Sequence, residues 1–391
     1  MVSRFLICLS LLVAMPALSA TPTPATLGIN AAAGWALFKR PWISAPSSLR
    51  GGGGLGPLYD ARSCESCHLG GGAGQVGEGA IGNGMVVRVG TVDGGSDPVY
   101  GRQIQTLALP GFDPEADVML QWSALHDLRT ITIDFKQMHY GAFAPQARTA
   151  LRRAPSLLGI GQLETIPESE ILAQAKRNGG RPSWLTDKSG QRRLGRYGWK
   201  ATEAQIADQV ETAFQRDFGI SSASHPGPYG ECTEAEHACR TAPGESVELP
   251  DAFRDRIVDF LRVLQAPDPR DESSAGFAIF RKIGCADCHA TLTGKAGRPV
   301  AAYTDLLLHD LGSDLSDDIA EGGAKPSEWR TAPLWNIPEE LEKGGLLHDG
   351  RARDIGEAVQ WHGGEASRSR TAFNALSSND RKRLGDFLLG R

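Results

Sequence analysis

Beyond residue 20 the 391-residue chain has no apolar run long enough to span a bilayer, which argues against a helical integral membrane protein. It lacks a strong excess of either charge. Lys and Arg total 41 against 46 Asp and Glu, a formal net charge of −5, so the basic footprint of a nucleic-acid binder is missing. Cysteine is scarce as well. With only seven in the chain, each can be accounted for singly.

What is present starts with an address. Residues 1–20 read as a secretory signal peptide: Arg4 gives the positive end, residues 5–13 the apolar stretch and residues 17–20 a small-residue cleavage site. Cys8 leaves with that peptide, and the expected location is periplasmic. The 47 glycines and 23 prolines imply much loop, which suits a fold that wraps large cofactors with short helices.

Two runs carry the chemistry: Cys64-Glu65-Ser66-Cys67-His68 and Cys285-Ala286-Asp287-Cys288-His289. Cys-x-x-Cys-His is the attachment signature of c-type haem. The thiols add across the porphyrin vinyl groups, and the histidine that follows becomes the proximal iron ligand. The expected cofactors are therefore two covalently bound c-type haems, with metal ligands His68 and His289. A zinc site made from the two Cys-x-x-Cys pairs is the plainer alternative, but it leaves both histidines unexplained. Cys232 and Cys239 remain, and an oxidising compartment favours a local disulfide between them.

The chain repeats itself. Ala33-Gly34-Trp35-Ala36-Leu37-Phe38 precedes the first motif and Ala275-Gly276-Phe277-Ala278-Ile279-Phe280 the second. Matching closing helices follow, Arg256 to Leu261 and Arg383 to Leu388. Between them Arg152-Arg153-Ala154-Pro155 echoes Arg330-Thr331-Ala332-Pro333, and Asn178-Gly179-Gly180 stands opposite His362-Gly363-Gly364. The expectation is a mainly α protein with much loop, made of two cytochrome c-like haem domains at residues 21–265 and 273–391, joined by a linker at 266–272. The first is swollen by a loop at residues 51–54 and by a long insertion from about 83 to 248, where the alternation Ile131-Thr132-Ile133-Asp134-Phe135 suggests a small β-hairpin.

The repeat asks what faces each iron from the far side. His362, beyond the helix-like residues 354–361, is the candidate second ligand of the second haem. Asn178 or Gly179 stands at the matching place in the first half, which leaves that iron open. Met85, His126, His139, His225 and His237 remain candidates there. Gln174 and Glu164 are the candidate catalytic residues near the open iron. Arg351 and Arg353, in Leu347-His348-Asp349-Gly350-Arg351-Ala352-Arg353, are candidate clamps for haem propionates. Trp199, Trp335 and Trp361 read as core, or as carriers of electrons between haems. His309 reads as a haem-crevice or helix-capping residue.

Several stretches carry a family resemblance. They are residues 56–68, Leu194-Gly195-Arg196-Tyr197-Gly198-Trp199-Lys200-Ala201, residues 303–312, Trp329 to Trp335, His348 to Ala352 and Trp361 to Ala366. The chain resembles the di-haem oxidoreductases described as thiol oxidoreductase-like or peroxidase-like. These are similar in turn to bacterial di-haem cytochrome c peroxidases and to the di-haem enzyme of methylamine dehydrogenase maturation. The resemblance implies a reactive N-terminal haem and an electron-transferring C-terminal haem. His362 then stands where the peroxidases have methionine and the maturation enzyme tyrosine, and Gln174 resembles the peroxidases' distal glutamine. Their following catalytic glutamate is replaced here by Trp184, and Ile337-Pro338-Glu339-Glu340-Leu341 occupies the place of their calcium-site Thr-x-Pro. The implied partners are a periplasmic electron donor, such as a small cytochrome or copper protein, and a small oxidant such as peroxide. A di-haem electron carrier and an enzyme that oxidises a partner protein are the alternatives.

Overall fold

The computed structural model describes residues 27–44, 53–82, 84–187 and 189–391. The signal peptide, Cys8 and residues 51 and 52 of the glycine loop lie outside them. Among the described residues no helix is long and apolar enough to cross a membrane.

The repeat is visible as two crossed helix pairs. Helix Ile29–Lys39 lies against Asp251–Val263, and Ala275–Lys282 against Ser378–Leu388. Each pair crosses at a glycine. A Cβ on Gly34 would lie 1.8 Å from the Arg256 carbonyl oxygen and 2.9 Å from Phe260 Cβ. One on Gly276 would lie 2.3 Å from the Arg383 carbonyl oxygen and 2.6 Å from Phe387 Cβ. The equivalent glycines thus meet the equivalent arginine and phenylalanine, because only a missing side chain lets the backbones approach so closely.

The mainly α expectation is corrected. Helix accounts for 32% of the structure and strand for 19%, in several small sheets, and cytochrome c-like domains are not shown. The longest strands come from the region after residue 83, where apolar and polar residues alternate as a half-buried strand requires. Met85–Gly90 pairs antiparallel with both Gln103–Ile104 and Arg148–Arg153. Ala116–Leu125 and Leu128–Met138 form a long hairpin, extended by Gly79–Ala80. The small hairpin expected around Ile131 understated it. Ile131, Ile133 and Phe135 stand opposite Trp122, Leu120 and Val118. Its two-residue turn, His126 and Asp127, has φ of 49° and 65°, the left-handed pair that matches strand twist.

The hairpin reaches across to the second half. Arg129 donates from Nε to the Arg351 carbonyl at 3.0 Å and from Nη2 to Gly350 and Gly344 at 2.8 and 2.6 Å. The core around Phe38, Trp42, Phe214 and Phe260 likewise continues into Leu292, Leu306, Leu307 and Trp335. A second core gathers Phe280, Trp329, Trp361 and Phe387.

Candidate functional site

Cys64–Cys67 form one helical turn, begun by Ser63, whose hydroxyl accepts from the Ser66 amide at 3.2 Å. The turn delivers both thiols and His68 to a cavity of about 250 Å³, walled on one side by Phe38, Leu157, Leu163, Phe214, Ile257 and Leu261. Burial pushes both thiols up to about 12. His68 donates from Nδ1 to the Gly72 carbonyl at 3.3 Å, and the Pro155 main chain also interacts with its ring. Burial pushes the imidazole down to about 4, so it stays neutral.

The rest of this cavity is strongly charged. Arg88 pairs with Glu321 at 2.8 Å, and Arg216 with Glu321 and Glu231 at 3.3 Å each. The Gln103 amide spans Asp60 and Asp217 at 2.9 and 2.8 Å. Burial pushes the Asp60 carboxyl up to about 7, helped by the Asp217 charge and opposed by hydrogen bonds from Thr106 and Gln103. Burial raises Asp217 as well. Among the described residues His68 is the only histidine lining the cavity, and no methionine lines it. Met85, His126, His139, His225 and His237 are all elsewhere.

The second cavity, of about 290 Å³, receives Cys285, Cys288, His289 and His362. His289 donates from Nδ1 to the Tyr303 carbonyl at 3.0 Å and His362 from Nδ1 to the Ala358 carbonyl at 2.7 Å. Tyr303 adopts a φ of 55°, uncommon for a bulky residue, as it presents that carbonyl. The two rings have centroids 6.5 Å apart. That is the spacing of imidazoles that share one metal, each bonding it at about 2 Å. Helix Ile355–Gln360, capped by Asp354 accepting from the Glu357 amide at 2.8 Å, carries His362 just past its end. Burial pushes His289 down to about 4, helped by the charge of His362, and lowers His362 too. His309 also lines this cavity, held between Asp305 at 2.9 Å and Glu365 at 2.7 Å. Burial works against its charge, but Asp305 and Cys288 hold it up at about 11.

A family model described as "Di-haem oxidoreductase, putative peroxidase" matches residues 124–390. The chain belongs to this di-haem oxidoreductase family. No curated protein matches it. The Kuenenia stuttgartiensis hydrazine synthase structure, pressurized with 20 bar xenon, aligns over 100% of both chains at 14% identity with a TM-score of 0.37, a likeness too loose to carry an argument.

The residues of the chain fit the haem that its family implies. The four thiols are free, whereas Cys232 and Cys239 are bonded to each other. The two thiol pairs line different cavities, so they do not converge on one four-cysteine zinc site. His68, His289 and His362 each engage Nδ1 with a main-chain carbonyl, the arrangement that orients a metal-binding imidazole.

Other expected site residues stand elsewhere. Gln174 is buried but donates to the Asp287 carbonyl at 3.0 Å, beside Asn178, which donates to the same oxygen at 2.9 Å. Both therefore meet the second haem motif. Glu164 pairs with Arg262 at 2.7 Å. Neither Gln174 nor Glu164 lines the first cavity. Arg351 pairs with Asp349 at 2.7 Å, and Arg353 with Glu357 at 2.8 Å and with the hairpin's Asp127 carbonyl at 2.8 Å. These two arginines line neither cavity; they brace the turn on which the hairpin docks.

The arginines that do line the cavities include Arg152, Arg153 and Arg330, and the repeated Arg-x-Ala-Pro pattern was their signal in the sequence. Asp60 and Asp217 had none. Between the cavities stands Trp199, which lines both and donates from Nε1 to the Arg153 carbonyl at 2.8 Å. Next to it Trp329 stacks on His348 at 3.8 Å, with Lys200 Nζ 3.8 Å and the Arg152 guanidinium 4.7 Å from its ring.

Proposed function

We propose that this di-haem oxidoreductase is an exported, periplasmic enzyme with one covalent c-type haem in each cavity. It takes electrons from a small cytochrome or copper protein at the second site and reduces a small oxidant such as peroxide at the first. One observation carries the reading: two imidazoles lie 6.5 Å apart in the second cavity, while among the described residues the first offers the single imidazole of His68. A site closed from both sides suits electron transfer, and a site with one axial ligand keeps a place for substrate.

Haem, when bound, supplies the redox chemistry. The chain's own contribution is positioning and proton handling. His289 and His362 are the residues that would hold the iron of a haem in the second cavity, and holding it together they would keep small ligands off it. Around the first site, the apolar wall of Phe38, Leu163 and Phe214 limits water, and Asp60, poised near neutrality, is the group suited to give and take a proton. Trp199, common to both cavities, is the aromatic residue best placed to conduct between them.

Optical and electron paramagnetic resonance spectra of the oxidised and reduced holoprotein test this. One low-spin iron is expected, together with one that is high spin, or becomes so when the second is reduced, and that binds cyanide. Cyanide binding in neither redox state, with every iron low spin, would replace this reading by that of a di-haem electron carrier.

A further inference from the structure

Arg330 is 7% exposed, yet no carboxylate among the described residues pairs with it. It closes strand Glu328–Arg330, where its own amide donates to the Trp199 carbonyl at 3.0 Å. Its side chain donates from Nε to the Gly198 carbonyl at 2.9 Å and from Nη1 to the Thr331 carbonyl at 3.1 Å. No hydrogen bond among the described residues engages Nη2. The Asp305 carboxylate acts on this guanidinium only at a distance, its oxygens bonding Leu307 and His309 instead; that is a poor arrangement, because a buried charge is retained where an opposite charge meets it. Its position says where that charge comes from, since Arg330 lines both cavities.

An independent observation marks the same wall. Tyr197 is 2% exposed and lines the first cavity, and its hydroxyl is buried without a hydrogen-bond partner. A phenol donor in that position calls for an acceptor. Tyr197 and Gly198 are chain neighbours, so the segment that anchors Arg330 also presents this hydroxyl. Two donors, one cationic and one neutral, converge on the first cavity, and the cationic one also borders the second. The group that answers both, and that c-type haem brings with it, is a propionate carboxylate.

We infer that Arg330 is a carboxylate receptor set between the cavities, taking a haem propionate from each, with the Tyr197 hydroxyl as second donor on the first-cavity side. This rests on the reading that each cavity holds haem. Arg330 is then a positioning residue that couples the two sites electrostatically. The guanidinium fork can serve two carboxylates at once, which a lysine ammonium on the same strand cannot do as well.

The test uses holoprotein and three variants, Arg330→Gln, Arg330→Lys and Tyr197→Phe. Covalent haem content is measured by staining after denaturation, midpoint potentials by redox titration at mildly alkaline pH, and spin state by electron paramagnetic resonance. Arg330→Gln should keep both covalent haems and lower both potentials, because losing a positive charge favours the ferric state at each site. Arg330→Lys, the variant safer for folding, should lower both by less. Tyr197→Phe should shift the first haem alone and leave its spin state unchanged. A potential that stays put at either haem in the Arg330 variants would overturn the two-sided role. A changed spin state in Tyr197→Phe would make that hydroxyl an iron-side group and overturn its part. Wild-type protein without covalent haem would instead bring down the functional reading itself, an outcome the staining detects separately.

Discussion

His289 and His362 hold their rings 6.5 Å apart and tilted by 51°, each with Nδ1 tied to a main-chain carbonyl. The residues are far apart in sequence and meet because a short helix ends where His362 begins. His362→Ala should turn a low-spin ferric signal to high spin at the second haem while both haems remain attached. His362→Met should raise that haem's potential by a sizeable part of the roughly 0.8 V span that axial ligands command. Unchanged spectra in both variants would remove His362 from the iron.

The thiol pairs occupy separate cavities, so their losses should be independent. Cys64→Ala with Cys67→Ala should abolish one covalently stained haem, and Cys285→Ala with Cys288→Ala the other. Mass spectrometry of the denatured protein counts them. Stoichiometric zinc in the wild type, or loss of both haems from either double variant, is the contrary result.

Asp60 gives a pH signature. Its ordinary value is 3.8 and in the fold it is raised to about 7, chiefly by burial. The native state therefore binds this proton more tightly than the unfolded chain. Asp60's contribution is fully present below the lower value and is lost as pH rises through the higher. Asp60→Asn should flatten that slope, and urea midpoints measured from acid to neutral pH should show it. Parallel curves for the two proteins would count against the raised carboxyl.

The helix crossings can be probed with three glycines. Gly276→Ala should cost about 1–3 kcal/mol through overpacking against Arg383 and Phe387, with Gly34→Ala at least as costly. Gly385, in the helix Ser378–Leu388 with nothing within 4 Å of a built Cβ, is the control. Gly385→Ala should stabilise by roughly 0.5–1 kcal/mol. Thermal unfolding of the three variants ranks them.

The Cys232–Cys239 bond closes a separation of seven residues, with Cα atoms 6.3 Å apart. It sits with Leu58 and Tyr229 rather than in either cavity. A double Ala variant should keep both haems and turnover while losing a few kcal/mol at most. Lost turnover in a folded variant would instead make the pair redox-active.

The residues expected to hold haem were legible along the chain because a covalent attachment motif is local. Two thiols and a histidine must be contiguous, so Cys64 to His68 and Cys285 to His289 announce themselves. The repeat was legible for a related reason. Gly34 and Gly276, with their partners Arg256 and Arg383, keep one helix crossing twice.

Tertiary structure decided the rest. Gln174 and Asn178 correspond in chain order to residues around His362, yet they bond the Asp287 carbonyl of the other half. Chain order within a repeat says nothing of how two repeats pack on each other. Arg351 and Arg353 looked like propionate clamps, but the hairpin docks there, and its position follows from contacts between residues more than 200 apart in the chain. Asp60, Tyr197 and Arg330 gain their character from burial and from the company they keep, properties that no local pattern records. The sequence by itself determined which thiols and histidines stand together in each motif; which polar groups line each cavity with them was settled only when long-range packing enclosed them.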